Sequence, residues 1–199
     1  MAAGVALHYG DPPSSGALRQ GEILGGLWEH RPVPPEVTSG GSDGFDIQSL
    51  LHPRVIAMTA DCDLEQDFAV RFNNDRPGGY ADIIQRDYAH AALLLHVLLC
   101  DVLEDSDIRS KTPPGSKEWR RIEQNQNERY HHFGAAEVAQ GGDLPDLYLD
   151  FKKTFALPVE DVYAGLAGQV VRIALVPPVY LHDVMHRFYN FLSRVGLPD

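Results

Sequence analysis

The chain has 199 residues, 44% hydrophobic and 23% charged, which excludes the disordered class and allows a sizeable core without staples. Its 28 acidic against 17 basic residues give a net charge of −11. That balance repels nucleic acid at long range and argues against sequence-specific DNA binding, although it leaves room for a local basic groove that meets RNA. Eighteen glycines and 14 prolines imply many turns and a β-containing fold rather than a helical bundle. The length suits one domain spanning 1–199.

Residues 1–16 mix small residues with Pro12, Pro13, Ser14, Ser15 and Gly16, and read as a loose leader. They lack the basic start and long apolar core of a secretory signal. Leu18 to Trp28 has a strand's character, with Gly25 and Gly26 permitting a bend or bulge. Residues 31–44 form a Pro-, Gly- and Ser-rich loop, and Phe45 to Leu51 is undecided between helix and strand. Arg54 to Thr59 is a buried strand by its continuous apolar run. It delivers Thr59 and then Asp61, Asp63, Glu65 and Asp67 to what reads as an acidic loop.

Asn73 to Tyr80 reads as a turn, with a helix from about Ala81 that passes into a strand at His96–Val102. The stretch 106–116 is a loop, and Lys117 to Arg129 a polar helix anchored by Trp119 and Ile122. Tyr130 to Phe133 is strand-like, Gly141-Gly142-Asp143 marks a turn, and Leu147 to Phe151 alternates as a strand that runs on toward Leu157. Val170 to Val176 is another strand, stopped by Pro177 and Pro178. Leu181, Val184, Met185, Phe188, Phe191, Leu192 and Val195 then fall at the spacing of one buried helix face, with Gly196 placed as its cap. The fold class expected is α+β: a curved, mainly antiparallel sheet or partly closed β-barrel with the amphipathic C-terminal helix packed on it.

Four groups of residues could carry chemistry. The carboxylates Asp61, Asp63 and Glu65 could bind a ligand or a cation, or simply cap a turn while Cys62 fills a core slot. No bound ion or other cofactor is expected, because no distant ligand set is evident. Cys62, Cys100, His131 and His132 are ligand types for zinc, but neighbouring histidines on a strand point to opposite faces. His182 and His186 sit at helical spacing i and i+4, as in zinc proteases, but Asp183 replaces the catalytic glutamate, and a pair flanking the apolar stripe is the plainer account. Arg129, His131 and His132 could stabilise a phosphate, or mark a solvated helix end.

Gln20-Gly21-Glu22-Ile23, the strand Val55–Thr59 and Asp61-Cys62-Asp63-Leu64 resemble uncharacterised bacterial proteins distantly linked to the PemK/MazF-like toxins, with Gly21-Glu22-Ile23 and Arg31-Pro32 at the positions that match the toxins, over the first third of the chain. The resemblance implies a small SH3-like barrel and an RNA-cleaving Arg and Thr near its mouth, here Arg31 and Thr59. More than 20 residues separate Arg31-Pro32 from the following strand, and the chain is longer and more acidic than such toxins. Taken together, these features point to a bacterial accessory or binding protein acting through protein contacts, with another protein or a second copy as partner, in a toxin–antitoxin or mobile-element setting. The alternative is a metal-independent endoribonuclease using Thr59, Arg129 and His131 or His132. Two lone cysteines and the lack of a long apolar stretch place it in the cytoplasm, away from membranes.

Overall fold

The computed structural model describes residues 9–14, 16–33, 46–72, 93–138 and 143–194. In chain order these form β1 (Glu22–Val33), β2 (Asp46–Ala57), α1 (Asp61–Phe72), β3 (His96–Glu104), α2 (Asp105–Arg109) and α3 (Lys117–Glu123). There follow β4 (Tyr130–Phe133), β5 (Ala136–Glu137), β6 (Asp143–Leu144), β7 (Leu147–Pro158), α4 (Val159–Ala167), β8 (Val171–Leu175) and α5 (Pro178–Leu192). Six strands make one antiparallel sheet in the order β4-β7-β3-β2-β1-β8, and β5 pairs with β6 beside it.

Strand alternation sends successive side chains to opposite faces. Ile23, Ile56, Cys100, Phe151 and Ala174 meet Val184, Met185 and Phe188 of α5 on one side. Their neighbours Leu24, Val55, Leu99 and Leu157 meet Leu64 of α1 and Val159, Val162 and Tyr163 of α4 on the other. Both faces are therefore apolar and both are covered by helices. A barrel would turn one face inward, and here each face already has a helical cover. The sheet stays open, with β4 and β8 as its unjoined edges. The antiparallel sheet and its C-terminal helix match the expectation; the barrel does not.

The acidic stretch after β2 is a helix rather than a loop. Asp61 and Asp63 lie in its first turn and Arg71 in its last, which complements the helix dipole at both ends. Cys62 is exposed there and fills no core slot. The loop expected at 106–116 begins inside α2, which is capped reciprocally by Glu104 and Asp107. Helix α3 stops at Glu123, six residues before the expected end, where Asn125 adopts a left-handed φ of 55°. The undecided stretch before Arg54 is strand from Asp46, and β1 continues through Arg31, Pro32 and Val33. The leader is tied down at Tyr9 and Gly10, where Gly10 exchanges backbone hydrogen bonds with Leu175 at 2.9 and 3.0 Å. The expected helix from Ala81 and the cap at Gly196 lie outside the described residues.

The β1–β2 ladder runs from Ile23↔Ile56 to Val33↔Asp46 with one gap, at Gly26 opposite Pro53. Pro53 has no N–H to give, and Gly26 takes a φ of 77° that side chains disfavour. The kink resets the alternation, so Leu24 and Leu27 face the same core although they are three residues apart. It also divides the pair. Toward the core, β1 is flanked by β8 only at Glu22–Gly25 and β2 by β3 only at Val55–Ala57. Beyond the kink, the strands pair only with each other among the described residues, as a two-stranded ribbon.

Candidate functional site

The ribbon carries an unusual surface. Partners across an antiparallel ladder share a face. Trp28↔Leu51, His30↔Ser49 and Pro32↔Ile47 therefore line one side, and Leu27↔His52, Glu29↔Leu50 and Arg31↔Gln48 the other. On the first side Trp28 is 39%, Leu51 43% and Ile47 69% exposed. Between them the His30 ring nitrogen meets the Ser49 hydroxyl at 2.9 Å. No carboxylate, Lys or Arg stands among these six residues.

The second side is charged, and it anchors the ribbon to the sheet. His52 is buried and holds two carboxylates at once: its Nδ1 is 2.6 Å from Asp101 on β3 and its Nε2 3.0 Å from Glu29 on β1. Arg31 grips the same Glu29 carboxylate through Nε and Nη2, and Lys153 stands 3.5 Å from Asp101. Phe155 stacks on the imidazole at 4.1 Å. Burial alone would lower the pKa of His52, but the hydrogen bonds to Asp101 and Glu29 outweigh it and raise it above the ordinary value. As an imidazolium, His52 donates from both nitrogens. It therefore clamps three strands together and is poorly placed to act as a base. Glu29, held by Arg31 against the cost of burial and by His52, is shifted below the usual carboxylate range.

The residues singled out from sequence fall into two places. Thr59 accepts the Leu98 N–H at 2.8 Å, beside the start of β3. Asp61 accepts from Arg19 Nε at 3.1 Å, Arg19 Nη2 at 2.9 Å and the Gln20 N–H at 2.6 Å, and Glu65 stands 3.7 Å from Arg19. Asp63 is exposed on the next position of α1. The second place is β4, at the sheet's edge. Arg129 forms a two-pronged pair at 2.7 and 2.5 Å with the fully buried Asp150, and its guanidinium lies 4.8 Å over the Tyr130 ring. His131 and His132 point to opposite faces, as expected for neighbours on a strand. His131 is buried beside Phe133, its Nδ1 lacks a hydrogen-bond partner among the described residues, and Asp183 of α5 stands 3.9 Å away. Burial, then the charges of Arg187 and His132, lower its pKa to about 3, so it is neutral. His132 stacks on Tyr148 and binds Asp146 at 3.1 Å and the Glu123 carbonyl at 3.1 Å. Strands β3 and β7 lie between β2, which leads into Thr59, and β4.

Among the described residues no three His, Cys, Asp or Glu side chains converge as a metal site. His182 and His186 are both exposed on α5, flanking its apolar stripe. No described helix is long and apolar enough to cross a membrane. The chain matches no family model, no curated protein and no solved structure.

Glu29, His52 and Asp101, which organise the ribbon, gave no local signal: they are 23 and 49 residues apart in the chain. The one available hint is that His52 stands between Leu51 and Pro53, in a stretch leading into a buried strand.

Proposed function

We propose that this chain is a binding protein that acts through protein contacts, that the uncharged face of the β1–β2 ribbon is its contact surface, and that a second copy of the chain is the partner. The observation that carries this is the order of pairs along the face: Trp28–Leu51, His30–Ser49, Pro32–Ile47. A two-fold axis through the middle pair lays each Trp28–Leu51 against the other copy's Pro32–Ile47. Large apolar pairs then meet each other, and the polar pair meets itself, as an isologous interface requires. Charge narrows the choice further. Two copies carrying −11 each repel, so they approach best where neither presents a charge. The His52 clamp supports the reading by holding the ribbon rigid before contact, which lowers the ordering cost of binding.

A ribbon two strands wide offers a few hundred Å² per copy, well below the ~800 Å² per partner of a standard interface, so the association is weak. Sedimentation across a concentration series reaching about 1 mM covers the range where such contacts dissociate. A reversible dimer that strengthens with salt and is lost in Leu51→Arg is the expected result. A wild-type chain that stays monomeric throughout, or a variant that associates equally, refutes it.

The two free cysteines, one of them exposed, agree with a reducing compartment, and we place the protein in the cytoplasm. The toxin–antitoxin setting rests on the resemblance alone. The endoribonuclease alternative needs Thr59, Arg129 and a histidine around one phosphate. Thr59 is occupied beside β3, and Arg129 is paired with Asp150 at the sheet's far edge, so the geometry lends that alternative no support.

A further inference from the structure

We propose that the cleft between α1 and α4 is a binding site for an uncharged, largely apolar small molecule carrying a hydrogen-bond acceptor. The cleft offers about 700 Å³ and opens broadly to the surface. Small-molecule sites fall in the range of roughly 300–1,000 Å³ and are mostly apolar with a few polar groups. Phe68 and Phe72 come from α1 and Tyr163 and Leu166 from α4. The three rings brace one another, with Phe68–Tyr163 centroids at 5.6 Å and Phe72–Tyr163 edge-on at 5.0 Å. They form a continuous wall rather than a cage around a cation. Phe72 nevertheless leaves 45% of its surface exposed, which an apolar occupant would cover.

The polar groups select against charge. Two arginines reach the cleft, and each is already neutralised. Arg71 is held by the fully buried Asp67 at 2.9 and 3.1 Å, by Glu160 at 2.5 Å and by the Leu94 carbonyl at 3.0 Å. Arg172 is held by the fully buried Glu22 at 2.8 and 3.0 Å and by the Gly16 carbonyl at 2.8 Å. A ligand carboxylate or phosphate would meet the exposed Glu160 at Arg71, and displacing Asp67 or Glu22 would leave a buried acid without its counter-charge. A cationic ligand would find Asp67, Glu160 and Glu22 each already engaged by an arginine. What remains are two neutral hydroxyls, of the exposed Ser14 and of Tyr163; the latter accepts the Leu18 N–H at 3.3 Å, and among the described residues no acceptor takes its own hydrogen. That hydrogen suits a carbonyl or ether oxygen.

The probes are neutral 1-aminoanthracene, which tests the apolar cleft, and its competitor benzophenone, which adds a carbonyl acceptor; the anionic anilinonaphthalene sulfonate serves as the charge control. Fluorescence titration of the full chain is expected to show one saturable site for 1-aminoanthracene. Benzophenone should displace it, and the sulfonate should bind at least tenfold more weakly. Ala164→Trp, which fills the cleft from an exposed position of α4, should weaken 1-aminoanthracene binding tenfold or more while melting like the parent. Ala167→Phe fills the same cleft should Ala164→Trp fail to fold. Tyr163→Phe should weaken benzophenone more than aminoanthracene. Leu51→Arg should change nothing, which separates the cleft from the ribbon face. Absence of a saturable site, tighter binding of the sulfonate, or undiminished binding in both filled variants overturns the proposal.

Discussion

The inner and outer halves of the β1–β2 pair share two strands and one hydrogen-bond register, yet they differ in what covers them. Ile56 and Ile47 lie nine positions apart on β2; the first is fully buried against α5 and its surroundings, the second 69% exposed. Strand propensity formed both halves; among the described residues the helices bury the inner one but, of the outer one, only Leu27, with α4 also lining a pocket beside Trp28 and His30. The difference shows that an apolar, β-branched stretch reports pairing reliably but burial only through the layers that land on it. The kink at Gly26 and Pro53 marks the boundary, and His52 sits next to it, tying the outer half to β3.

The largest expected effect comes from the inner half. Ile56→Ala should lower unfolding stability by about 2–5 kcal/mol, the usual range for emptying a buried site. Urea denaturation measures it, and a loss comparable to that of Ile47→Ala would erase the distinction between the halves. At the junction, His52→Leu removes the cation between Glu29 and Asp101 and leaves two carboxylates facing an apolar side chain. A loss of about 3 kcal/mol is expected, with hydrogen exchange rising first at outer-strand amides. Uniform exchange across both halves would mean that the clamp does not hold the ribbon.

Two buried histidines give opposite pH signatures. His52 has a raised folded pKa, so its contribution is complete below the unfolded value of about 6.5 and is lost as pH rises through the folded value. The groups facing it are Glu29, Asp101, Arg31 and Lys153. His131 has a folded pKa of about 3 and stays neutral beside Arg187, His132 and Asp183. Its unfolded form takes a proton below about pH 6.5 while the folded form does not, so stability falls with falling pH at about 1.4 kcal/mol per unit. Stability should peak near pH 6.5; His131→Phe should flatten the acid side and His52→Gln the alkaline side. A chemical-denaturation series across pH 4–9 checks both slopes. The smallest effect belongs to the ribbon: Ile47→Ala should leave stability within about 0.5 kcal/mol, as an exposed substitution does, while weakening self-association.

Much of the fold was legible because its signals are local. The C-terminal helix follows from the spacing of Val184, Met185 and Phe188, all buried against the sheet, and β3 and β7 from their apolar runs. Leu192 departs from the expected stripe at 58% exposed, because it stands at the helix's last turn. The acidic stretch misled because four clustered carboxylates suggest a wet loop. Leu64 and Asp67, both fully buried, show the helical period that decides the matter, with Asp67 drawn inside by Arg71. Helix α4 rests on Val159, Val162 and Tyr163 alone, a short pattern beside a long apolar strand. The ribbon and its clamp were not legible. Their logic is a diagonal meeting of Glu29, His52 and Asp101 across three strands, which only the register defines.

If the ribbon faces pair about a two-fold axis through His30 and Ser49, a thiol placed on that axis at position 49 meets its own copy. Ser49→Cys in a Cys62→Ser background removes the exposed native thiol and leaves the buried Cys100. A bis-maleimide spanning about 10 Å, the spacing of packed sheet faces, should join two copies at position 49, while Ser106→Cys in the same background, on the exposed surface of α2, stays monomeric. A Ser49→Cys chain that remains monomeric, or that cross-links no more than the Ser106→Cys chain, would contradict that pairing.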